Sequence, residues 1–194
     1  MGKRHKGLSF YKKRKKISAS LVKKIFGWIF GIFVSIFIAF VVVYAVGMST
    51  SMIGVSMEPG LQNGQSILVN RYAYLLVTPK AGDVVVFLPK GNKNSHYYVK
   101  RVVAVPGDTV QIIDGRLYVN GEQAAEEEFD KMADAGIAEN PLTLGADEYF
   151  VLGDNRNNSE DSRFANIGPV KGKDIVGQAW FHMGSETEGM GFVK

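Results

Sequence analysis

The stretch Ile25-Phe26-Gly27-Trp28-Ile29-Phe30-Gly31-Ile32-Phe33-Val34-Ser35-Ile36-Phe37-Ile38-Ala39-Phe40-Val41-Val42-Val43-Tyr44-Ala45-Val46 carries no charged side chain. As an α-helix it extends about 33 Å, the thickness of the hydrocarbon layer of a bilayer. Residues 1–24 before it hold ten Lys or Arg and no Asp or Glu. Basic residues ahead of a first span favour a cytoplasmic N-terminus. The remainder carries 13 basic against 19 acidic residues and is expected on the outer side. The run exceeds the roughly 7–15 residues of a signal-peptide core, so it reads as an uncleaved anchor, although Ala45-Val46-Gly47 has small residues at cleavage-site spacing. Gly27 and Gly31 form a GxxxG that would suit helix pairing, a weak signal in a Gly-containing span. The expected organisation is a basic cytoplasmic tail over 1–24, an anchor over 25–46 and one extracytoplasmic domain over 47–194. Because the tail runs straight into the anchor, no nucleic-acid partner is expected.

From Gly47 onward the pattern changes to short runs rich in Val, Ile, Tyr and Phe, bounded by Gly, Pro, Asp and Asn. Strands are predicted at Ser66–Asn70, Val84–Leu88, Tyr97–Val105, Thr109–Ile113, Arg116–Asn120, Glu148–Leu152 and Ile175–Phe181. Asp114-Gly115 reads as a tight hairpin turn. The fold class is therefore mainly β, an all-β domain with one core behind a single transmembrane helix. Glu122–Ala138 is the exception, either a short helix or a long variable loop. The chain has no cysteine, which removes disulfides and thiolate chemistry. His5, His96 and His182 lie far apart, so neither a metal site nor a cofactor is expected.

Three segments carry candidate chemistry. Gly153-Asp154-Asn155-Arg156-Asn157-Asn158-Ser159-Glu160-Asp161-Ser162-Arg163 has no apolar side chain and cannot form a core strand or an amphipathic helix. Composition alone makes it a solvated turn-rich loop. Its start, however, follows the apolar run Tyr149-Phe150-Val151-Leu152, and its dense mixture of charges suits a fixed polar network. Ser56, in Gly54-Val55-Ser56-Met57-Glu58-Pro59, reads either as a turn serine or as a rigidly held nucleophile. Strand alternation places Lys100 with Tyr98, Val102 and Ala104 on one face and Arg101 on the other. Lysine is rarely buried without a reason, but an edge-strand lysine that blunts aggregation reads the same way.

Together these segments resemble bacterial type I signal peptidases, membrane-anchored serine proteases that remove signal peptides from exported preproteins. The resemblance rests on the basic anchor, Ser56-Met57-Glu58-Pro59, Ala81-Gly82-Asp83-Val84-Val85-Val86-Phe87, Tyr98-Val99-Lys100-Arg101-Val102-Val103-Ala104-Val105-Pro106-Gly107-Asp108 and the Gly153–Arg163 loop, in the family order. It implies a fold related to the repressor proteases, with Ser56 as nucleophile and Lys100 as general base. It further implies that Ser159 hydrogen-bonds and orients the lysine, and that Asp154, Asp161 and Arg163 brace the site. The Ser56 backbone N–H would form part of an oxyanion hole. At Gly54 some members have a serine donor that is absent here, and at Gly60 the family often has threonine.

A lysine base must be neutral, and an apolar strand face is the surrounding that depresses its pKa; Met57 is expected to contribute to it. Ser56 lies ten residues beyond Val46, a reach of at most about 35 Å, which ties it near the outer membrane surface. Met48, Met52, Ile53 and Met57 are expected to offer apolar surface to the interface. Substrate is expected as an added strand along Met52–Val55 and Tyr97–Val99, with shallow pockets for an A-x-A site. The expected partners are secretory preproteins and the bilayer of a bacterial cell membrane, with a monomer favoured. Ser20-Leu21-Val22-Lys23 matches an S-x-x-K pattern but lies beside the span with no companion motif. Asn157-Asn158-Ser159 matches a glycosylation sequon inside the expected site. The alternatives are a non-enzymatic assembly module of the same fold, which would need a broken Ser–Lys pair, and a self-cleaving repressor-type protease, which would carry a DNA-binding head in place of the anchor. A peptidase of the endoplasmic-reticulum or archaeal kind would carry histidine at position 100.

Overall fold

The structure, a computed structural model, describes residues 2, 18–75, 77–126, 128–184 and 189–193. The expected basic tail therefore lies mostly outside the described residues. The chain divides into two compact units between Val43 and Tyr44.

The first unit is built on helix α1, Ala19–Val46, which starts a turn and a half earlier than the apolar run. Ser18 caps it, accepting a hydrogen bond from the Leu21 N–H at its hydroxyl. Phe26, Trp28, Phe33, Phe37 and Phe40 are all exposed around the helix. A helix apolar on every side has no amphipathic stripe to direct it onto a core. The stretch Ala19–Val41 is long and apolar enough to cross a membrane.

The second unit is antiparallel β. Its strands are β1 Gly47–Ser51, β2 Ser66–Asn70, β3 Val84–Phe87, β4 Tyr98–Ala104, β5 Thr109–Ile113, β6 Arg116–Val119, β7 Glu122–Gln123, β8 Leu142–Thr143, β9 Glu148–Leu152, β10 Val170–Lys171, β11 Ile175–His182 and β12 Gly191–Phe192. The larger sheet has the order β1-β2-β11-β3-β4-β9-β10, with β12 paired to β11; the smaller has the order β7-β6-β5-β8. Asp114 and Gly115, both at positive φ, close the β5–β6 hairpin as the Asp-Gly pair predicts.

Central strand β3 is buried along its whole length. Val84 and Val86 join a cluster with Met52, Met57, Leu61, Ile67, Val69 and Val99. Val85 and Phe87 join a second cluster with Val102, Tyr149 and Val151. Both faces of the sheet are covered, so this strand reads as a continuous apolar run rather than an alternation. Phe150 and Leu152 of β9 pack in a third cluster with Val110, Ile112 and Leu117 of the smaller sheet.

One expectation changes, and one open alternative is resolved. Met52 and Met57 are buried in the core and offer no surface to a membrane interface; the polypeptide turns inward here, leaving Ile53 and Val55 outside at 64% and 41% exposure. Glu122–Ala138 holds no α-helix among its described residues. It contains β7, an irregular path and one 3-10 turn at Gly136–Ala138. Met132 and Ala138 anchor it in the third cluster. A side chain at Gly136 would collide with the Arg163 carbonyl, so the segment passes close against the 153–163 loop.

Candidate active site

Lys100 is positioned by β4. Its register partner on β3 is Val85, so its stem lies on the face of the second cluster with Tyr98 and Val102. Ala104, predicted for the same face, instead packs in the third cluster. A bulge between Val102 and Ala104 shifts the register and rotates it away. Met57 packs with Val84, Val86 and Val99, whose side chains lie on the opposite face of the sheet from Val85, the register partner of Lys100.

Ser56 sits in a turn pinned on both sides. Leu61 N–H donates to the Met57 carbonyl at 2.8 Å, with both side chains buried below. Gly54, at φ +86, turns the chain and donates to Asn63 Oδ1 at 2.9 Å. Asn155 reaches across from the loop: its N–H donates to the Ser56 carbonyl at 3.0 Å and its Nδ2 to the Val55 carbonyl at 3.2 Å. The Ser56 carbonyl is thus held, while among the described residues its N–H meets no protein acceptor.

The two side chains meet. Lys100 Nζ donates to Ser56 Oγ at 2.6 Å, and the residues are 3% and 8% exposed. Nζ also lies 5.5 Å from the centre of the Tyr98 ring. Burial lowers the pKa of Lys100 from 10.5 to about 8, opposed by the negative charges of Asp161, Glu160 and Asp154. A hydroxyl touching an amine that releases its proton this readily has the parts needed for acyl transfer.

The loop that reads as polar turns is a buried network. Asp154 takes Arg101 in a bidentate pair, at 2.8 Å from Nε and 2.7 Å from Nη2. Asp161, fully buried, takes Arg163 Nε at 2.9 Å and Nη2 at 3.0 Å and also accepts the Gly153 N–H. Ser162 pairs with the Val151 backbone at both its hydroxyl and its N–H, extending the β9 ladder into the loop. Ser159 departs from expectation. Its hydroxyl is buried without a hydrogen-bond partner among the described residues, and the Lys100 amine is bonded to Ser56 instead. Tyr98 donates its hydroxyl to Glu160 at 3.1 Å. Arg101, Gly153 and Asn155 escaped the sequence reading as contributors, because nothing in their spacing indicates which partner they meet.

Asp161→Ala is expected to cost about 3–5 kcal/mol, because it leaves the Arg163 guanidinium buried without its carboxylate. A melt of the full chain in detergent should show Tm falling by roughly 10 °C; an unchanged Tm would contradict a structural role for the pair.

The chain is similar to known proteins. Residues 25–183 match the family model described as signal peptidase, peptidase S26. Signal peptidase I P of Bacillus subtilis subsp. natto is 38% identical over 132 residues, 64% of this chain and 70% of that protein. The probable signal peptidase I-2 of Synechocystis is 37% identical over 129 residues, 64% of this chain and 57% of that protein. Signal peptidase I V of Bacillus subtilis is 36% identical over 146 residues, 69% of this chain and 83% of that protein. A crystal structure of a signal peptidase I from Enterococcus faecalis aligns at TM-score 0.41 and 31% identity, covering 52% of this chain and 96% of that one. Since the family match runs from the helix through Ser56 and Lys100 and past the 153–163 loop, the chain belongs to the signal peptidases of the peptidase S26 family.

Proposed function

We propose that the chain is a membrane-anchored serine endopeptidase that removes signal peptides after small-residue sites, with Ser56 as nucleophile and Lys100 as general base. The observation that carries this is the 2.6 Å contact between a buried, easily deprotonated amine and a buried hydroxyl. Neutral Nζ takes the Ser56 proton as Oγ attacks the scissile carbonyl carbon. The resulting oxyanion accepts from the unengaged Ser56 N–H. The Lys100 ammonium then protonates the leaving amine of the mature protein, and the C–N bond breaks to give an acyl-serine. Water, deprotonated by Lys100, hydrolyses that ester and restores Ser56.

Substrate adds as a strand beside Tyr98. On the Ser56 side, Ile53 and Val55, rather than buried Met52, present the facing surface. Helix α1 anchors the chain in a bacterial membrane, and the basic residues before it place the N-terminus in the cytoplasm and the β domain outside.

The test is cleavage of a preprotein with an Ala-x-Ala site by the detergent-purified full chain. Mass spectrometry should find a new N-terminus directly after the second alanine. With Lys100 at about 8, roughly one lysine in ten is neutral at pH 7. The rate should therefore fall about tenfold per pH unit below 8 and level off above it. No cleavage, cleavage elsewhere, or a rate flat down to pH 5 would refute the reading.

A further inference from the structure

We propose that Phe129, in the segment between β7 and β8, is a positioning residue for the Ser56–Lys100 pair, acting as a cushion between two arginines. This rests on the dyad reading above. The Phe129 ring centre lies 4.4 Å from the Arg156 guanidinium carbon and 6.0 Å from that of Arg101. Arg101 is the neighbour of Lys100 on β4 and holds Asp154. Arg156 follows Asn155, which holds the Ser56 carbonyl. One ring thus touches both elements that set the reacting atoms.

The arginine under the ring is unusually dependent on it. Arg156 is 2% exposed, and among the described residues its one carboxylate partner is Glu126, at 2.7 Å from Nη1. Among the described residues its Nε and Nη2 are buried without hydrogen-bond partners. A buried guanidinium so under-supplied draws on the negative face of an aromatic ring. The backbone that carries the ring is held in turn, because Arg116 Nη1 donates to the Phe129 carbonyl at 3.2 Å. The flanking residues strap the loop down further. Asn157 bonds the Ala133 N–H and the Lys131 carbonyl, and Arg163 Nη1 donates to the Asp134 carbonyl.

Removing the ring frees Arg156 to swing toward water and loosens the loop that carries Asp154, Glu160 and Asp161, the charged groups that face Lys100 together with Tyr98. Water then reaches the amine and favours its charged form.

The experiment compares Phe129→Ala, Phe129→Leu and Phe129→Trp in the full chain, reading kcat, KM, the acid limb of the pH–rate profile and Tm on one preprotein. Phe129→Ala is expected to lower kcat about tenfold with KM little changed, and to move the acid limb to higher pH. Phe129→Trp, which keeps a cation-binding face, should restore both; Phe129→Leu, which fills the space without that face, should not. A lowered Tm with wild-type kcat and acid limb would overturn the proposal, as would a Leu variant equal to Trp. If Phe129→Ala does not fold, the Leu–Trp comparison decides alone. Ser56→Ala serves as the control. If it still cleaves, the dyad reading has failed; if it is inactive while the Phe129 variants behave as wild type, only the positioning role has.

Discussion

Ser56→Ala is expected to lower preprotein cleavage by about 10³-fold or more while the domain keeps its fold, because the substitution removes one oxygen from a turn held by other groups. Leu61 and Asn155 secure that turn through backbone carbonyls, not through the serine hydroxyl. Lys100→Met is expected to abolish activity equally, since it keeps the stem on the Val85 face but removes the base. The two variants should separate in stability. Folding lowers the lysine pKa from 10.5 to about 8, so the folded state holds that proton more weakly than the unfolded chain. The penalty is absent above about pH 10.5, grows as the pH falls toward 8 and is constant below, on the order of 3 kcal/mol at pH 7. Lys100→Met removes it and should raise Tm at pH 7, with the gain shrinking toward pH 10.5. Activity kept by either variant defeats the dyad. A Met variant less stable than wild type at pH 7 would show that the bond to Ser56 outweighs the burial.

Gly153→Ala is expected to reduce cleavage by about 100-fold and to lower Tm, from one added methyl group. Its Cβ would overlap the Ser159 side chain and the Ser56 carbonyl oxygen, closer than real Cβ atoms approach. The first is a buried side chain and the second is backbone, so neither yields without displacing the nucleophile turn. The same residue donates its N–H to Asp161, which limits retreat in the other direction. Overpacking of this kind costs about 1–3 kcal/mol in stability. The larger loss is in rate, because reacting atoms must be held to well under an ångström. Wild-type kcat in Gly153→Ala would mean that the Ser56 turn tolerates movement and that the tight approach is incidental.

Much of this architecture is visible in the chain itself. The charge-free run announces a helix suited to hydrocarbon, and Ser66–Asn70, Thr109–Ile113 and Glu148–Leu152 form strands over the predicted residues. Strand β1 gives no such signal. Gly47-Met48-Ser49-Thr50-Ser51 is mostly small and polar, and it is a strand because β2 lies alongside it from Asn70 to Ser66. Alternation carried Tyr98, Lys100 and Val102 to one face but failed at Ala104, where the bulge inserts its extra residue. Met52 and Met57 read as interfacial because apolar side chains in a short segment look the same whether they meet lipid or a protein core.

Local sequence, through periodicity and composition, determined the apolar helix, the longer strands and that position 100 faces apolar neighbours. Only the tertiary structure decided how the polar loop's charges pair, that the Lys100 amine bonds Ser56 and not Ser159, and that Phe129 lies between Arg101 and Arg156. The physical reason is range. Periodicity follows from the geometry of one chain segment. A buried charge is stable only with partners brought from segments distant in sequence, and nothing in its own neighbours names them.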